Sequence, residues 1–74
     1  MMNAKKTAQR LREVREKHGE TKRYLARELG CSYNAVCSWE YGIRIPSDDM
    51  KIRLANHYGT SVESLFFTDR YHSK

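Results

Sequence analysis

Apolar residues recur along this chain at helical spacing, and glycine, serine, threonine or proline interrupts them every eight to fourteen positions or so. Ala8, Leu11, Val14 and Arg15 follow one another at steps of three, three and one, which places them on one face of a first helix from about residue 7 to residue 18. Residues 1–6 are polar and read as a flexible, frayed lead-in. Lys17 and His18 suit the negative end of that helix, and Gly19 supplies its C-cap. Thr21 can cap a second helix by accepting unpaired N–H groups of its opening turn. Leu25, Ala26 and Leu29 then share one face, and Gly30 stops the helix because a residue without Cβ enters the left-handed conformation freely. Ser32 caps a third helix, which turns Val36 and Trp39 inward with Glu40 beside them. Its other face carries Tyr33, Asn34, Cys37, Ser38 and Tyr41, and Gly42 ends it.

Ile43 and Ile45 are apolar enough to pack, so the stretch up to Pro46 is expected to be an ordered loop. Proline cannot continue a helix and disfavours a helical conformation at Ile45, so a fourth helix starts at Ser47. Asp48 and Asp49 fall in its first turn, where negative charge meets the positive end of the helix dipole. Met50, Leu54, Ala55 and Tyr58 give it one apolar face; Gly59 closes it. Ser61 caps a short fifth helix bearing Val62, Leu65 and Phe66. Residues 68–74 form a polar tail. The pattern predicts an all-α fold, five short helices over residues 7–67, with a core of Leu11, Val14, Leu25, Leu29, Val36, Trp39, Met50, Leu54, Tyr58, Val62 and Leu65.

Composition narrows what such a fold could do. Seventy-four residues make one domain with a modest core and leave no room for an enzyme pocket of ordinary size. Lys and Arg number 14 against 9 Asp and Glu, a net charge of +5 that favours a polyanionic partner. Two cysteines are no disulfide framework. Neither a signal peptide nor an apolar run long enough for a membrane span is present, so a cytoplasmic location without membrane contact is expected. Nucleophile, base and orienting group fall in no recognisable arrangement, and no glycine-rich phosphate loop occurs; the chain reads as a non-enzyme without a small-molecule substrate or cofactor.

Two helices joined by a tight turn, the second polar and uncharged outside, describe a helix-turn-helix over residues 21–42. The stretch resembles the Cro/CI-like (XRE-like) helix-turn-helix family of DNA-binding transcriptional regulators. Leu25-Ala26, Gly30-Cys31-Ser32, Trp39-Glu40-Tyr41-Gly42 and Arg44-Ile45-Pro46 match the family's ordered pattern, and the likeness runs from Ala8 to Phe66. It implies a lambda-repressor-like domain from bacteria or a mobile element, usually a repressor, with residues 32–41 as the recognition helix. A homodimer on a palindromic operator is implied as well, since one motif buries little DNA.

A helix fits the major groove of B-DNA, and an asparagine carboxamide pairs with adenine N6 and N7, which makes Asn34 the sharpest candidate for base contact. The resemblance adds Tyr33 and Ser38. An asparagine in the first turn of a helix is otherwise simply a common polar residue. Between Ser32 and Tyr41 there is no Gln, Arg or Lys, so guanine readout is weak and DNA shape or water carries part of the specificity. Lys22, Arg23, Ser32, Tyr41 and Arg44 are the candidate phosphate contacts, the alternative for the cations being ordinary solvated charge. Arg10 and Arg27 are assigned to solvent. Family likeness pairs Arg15 with Glu40 as a structural ion pair joining the first helix to the third.

Cys31, Cys37, His18, His57 and His72 lack the short paired spacing of a zinc site, so no metal is expected. Cys31 fits as a small buried apolar residue, and Cys37 belongs at the DNA-facing edge, where oxidation would block docking. The dimer surface is expected at the fifth helix with Phe66, Phe67 and Tyr71, aromatics that would otherwise belong to core and tail. The rival function is a protein-interaction module, an antitoxin or anti-regulator built on the same fold. RNA binding is disfavoured for want of an aromatic platform on a sheet.

Overall fold

The computed structural model describes residues 4–66. Five α-helices occupy them: α1 (Ala4–Lys17), α2 (Lys22–Leu29), α3 (Tyr33–Glu40), α4 (Asp48–His57) and α5 (Val62–Phe66). Each of α2, α3 and α4 opens on a capping side chain in extended backbone: Thr21, Ser32 and Ser47 accept the N–H of Tyr24, Ala35 and Met50. Ser61 does the same for Ser64 ahead of α5. These bonds satisfy amide donors that the first turn of a helix leaves without partners.

Packing closes into a ring. α1 lies on α3, α3 on α2, α2 on α4, α4 on α5, and α5 returns to α1. Leu11, Leu25, Val36, Leu54 and Leu65, one from each helix, meet at the centre almost wholly removed from water. Val14, Leu29 and Trp39 are buried with them, while Met50, Tyr58 and Val62 lie partly exposed at the core's edge. Three alanines complete the interior: Ala8 on α1, Ala26 on α2 and Ala55 on α4.

Two expectations need correction. The first helix starts at Ala4, so positions 4–6 are helical rather than frayed, and Thr7 is buried. The opening turn of α1 lies against Gly42, a contact distant in sequence, where a Cβ would stand 3.7 Å from the Ala4 carbonyl oxygen and 3.8 Å from the Lys5 Cα. The loop after α3 is ordered, but not through its isoleucines. Ile43 is 70% exposed and Ile45 38%. The Ser38 carbonyl instead accepts both the Ile43 and Arg44 N–H groups, and Pro46 is the buried member. Among the described residues no helix is long and apolar enough to cross a membrane.

Candidate nucleic-acid interface

The turn between α2 and α3 is fixed by backbone chemistry. Gly30 adopts φ 73°, ψ 34°, and its N–H returns to the last turn of α2, at the Ala26 and Arg27 carbonyls. The Cys31 N–H also reaches Ala26, at 3.0 Å. Two residues later the Ser32 hydroxyl accepts the Ala35 N–H at 3.1 Å and starts α3 in a new direction.

α3 is held from below by charge as well as by apolar contact. Val36, Trp39 and Glu40 face the interior. Arg15 Nε donates to Glu40 Oε2 at 2.7 Å and Arg15 Nη2 to Oε1 at 3.0 Å, a two-pronged pair between α1 and the last turn of α3. The third guanidinium nitrogen, Nη1, donates to the Glu20 carbonyl just ahead of α2. The hydrogen bond to Glu40 raises the Arg15 pKa, against the opposing pull of burial. Arg12 Nη1 adds a bond to the Glu40 carbonyl at 3.0 Å. One arginine thus orients both helices of the motif.

The outer face of α3 carries no charge. Tyr33 and Asn34 are exposed, Ser38 and Cys37 half-buried, and Tyr41 at the C-terminal end is 67% exposed. Cations from α2 flank it at both ends: Arg23 lies over the Tyr33 ring at 4.5 Å and Lys22 over the Tyr41 ring at 4.9 Å. Lys22, Arg23 and Tyr33 line one hollow with Thr21. On the other side, Ser32, Asn34, Ser38 and Arg44 share a second groove between α3 and the following loop. All the candidate nucleic-acid contacts therefore gather on α3 or along its two margins. A hydrogen bond to Cys37 is the main reason the Tyr33 phenol is pushed up, so that thiol belongs to the same surface. Cys31 is only half-buried, but desolvation raises its thiol.

The sequence profile of the helix-turn-helix family matches residues 11–65. The chain belongs to the Cro/CI-like helix-turn-helix family. It is 32% identical over 65 residues to the HTH-type transcriptional regulator ImmR of Bacillus subtilis (strain 168), a match covering 88% of this chain and 51% of that protein. A transcriptional regulator from Listeria innocua superposes with a TM-score of 0.77 at 24% identity, over 82% of this chain and 57% of that one. The structure of apo-HppE gives a TM-score of 0.76 at 27% identity, over 89% of this chain and 36% of that one. This chain spans about half the length of the curated relative it matches.

Several contacts around the family motif leave little trace in local sequence. Arg10, expected in solvent, donates from Nε to the Leu65 carbonyl at 3.2 Å and ties α1 to α5. Arg53 Nη1 reaches the Leu29 carbonyl at 3.1 Å and caps the end of α2 from α4. Glu20 takes His57 Nε2 at 2.7 Å and the Tyr58 hydroxyl at 2.9 Å, pinning the end of α4 to the α1–α2 turn. An acid one residue before a capping threonine was the only local signal for that junction. Phe66 packs against the core; Phe67, Tyr71 and His72 fall outside the described residues.

Proposed function

We propose that this chain binds double-stranded DNA sequence-specifically and regulates transcription, as a repressor that occupies its operator as a homodimer. The observation that carries this reading is the uncharged, exposed face of α3 with cations along both margins. In the major groove, Asn34 would pair with adenine, with Tyr33 and Ser38 on neighbouring base edges. Lys22 and Arg23 would grip one phosphate strand and Arg44 the other, with Tyr41 beside Lys22. Ser32 keeps a role there: capping uses its oxygen as acceptor, and its hydroxyl proton remains available to a phosphate. The Arg15–Glu40 pair would act by holding α3 at its docking angle. The regulator relative supports the reading, and α5 with Phe66 is the proposed self-association face.

Selection of bound sites from random duplexes, followed by mobility shift across a salt series, tests it. A recovered palindrome bound far more tightly than random DNA, with half-sites about one helical turn apart, is the expected result. Weak binding that is indifferent to sequence and lost with modest salt would overturn it in favour of the protein-interaction module.

A further inference from the structure

The groove between α3 and the loop after it encloses about 520 Å³, and its lining is chemically divided. Ser32, Asn34, Ser38, Arg44 and Ser47 make the polar part. Ala35, Trp39, Ile45 and Met50 make the apolar part; Trp39 is buried, Ala35 and Met50 pack onto the core, and Ile45 is the exposed member. Among the described residues no carboxylate lines it. The face of α3 has no arginine, lysine or glutamine with which to read guanine; its polar groups there are an amide and hydroxyls. An amide set beside open apolar surface matches an A·T pair, which offers adenine N6 and N7 together with the thymine C5 methyl, an apolar group in the major groove.

Resting on the DNA-binding reading above, we infer that Ile45, with Ala35 and Met50, forms a seat for a thymine methyl group and sets a preference for A·T at the step read by Asn34 and Ser38. Arg44, at the same groove, anchors the adjoining phosphate. The loop isoleucine is exposed because its contact is with the ligand rather than with the core.

The test uses the full chain and the duplex it selects from random DNA, with each thymine replaced singly by deoxyuridine, a change that removes only the methyl group. Binding should weaken about fourfold at the seated thymines, the fold-change for one buried methyl-sized group. Ile45→Ser should bind the thymine and uracil duplexes alike at those positions while melting like the parent. Ile52→Ser, at an exposed isoleucine on α4 outside the groove, should keep the discrimination. Equal binding of thymine and uracil at every position overturns the inference and leaves the regulator reading intact. So does discrimination that survives unchanged in Ile45→Ser. Failure to select any site removes the regulator reading first, and the methyl seat with it.

Discussion

The carboxylate of Glu40 lies inside the domain, and Arg15 meets both of its oxygens. Such a pair adds little over well-packed apolar groups, but half of it alone is expensive: a guanidinium left facing a neutral partner in a buried site costs about 3–5 kcal/mol. Glu40→Gln should therefore lower the urea midpoint by most of what a domain this small has, and unchanged unfolding would show the pair to be inconsequential. Lys22 differs, since solvent reaches it and Tyr41 is its neighbour. Lys22→Ala should leave the melt in place and reduce the slope of log affinity against log salt by about one, the signature of one lost phosphate contact. A slope equal to the parent's would remove Lys22 from the interface.

Among the elements, the caps were the most legible part of the sequence. Thr21, Ser32, Ser47 and Ser61 each stand where a helix begins, because the bond they make is local and spans three residues. Gly30 is as local in cause: at φ 73° a side chain is strained even though a Cβ would meet nothing nearer than Arg53 Nη1 at 3.7 Å. Gly30→Ala should then cost about 1–2 kcal/mol in a thermal or urea melt, a backbone penalty rather than a clash. A variant as stable as the parent would mean the turn tolerates a different geometry. What the sequence could not show is where a long side chain ends up. Arg10, Arg12 and Arg53 look like any surface cation, and only the assembled helices bring a carbonyl within their reach. Ile43 misled for the complementary reason: hydrophobicity argued for packing, but the loop is closed by main-chain bonds to Ser38. At the candidate interface, residue types and helical phase were legible, while the two cation–tyrosine contacts and the groove beside Ile45 depend on the angle between α2 and α3.

Across the whole molecule, Glu20 joins the α1–α2 turn to the far end of α4 through His57 and Tyr58. Burial, and then the hydrogen bond to Glu20, push the Tyr58 phenol far above its ordinary value. A raised folded-state value means that the unfolded chain gives up the proton first. Stability from this group is complete below about pH 10, the ordinary phenol value, and drains away as pH climbs beyond it. Tyr58→Phe has no phenol proton to lose, so between about pH 9 and 11 its urea midpoint should fall less steeply than the parent's. Parallel declines would show that other groups govern the alkaline limit.

The circular order of helix contacts has a consequence for anyone wishing to move or miniaturise the surface on α3. With eight residues each, α2 and α3 are too short to hold their shape in water unaided. A synthetic fragment containing both would retain its serine, its glycine and its turn, yet Leu25, Val36 and Trp39 would have lost what they lean on. Transplanting Tyr33, Asn34 and Ser38 onto another five-helix frame keeps the display intact, because the frame, and not the exposed strip itself, supplies the rigidity.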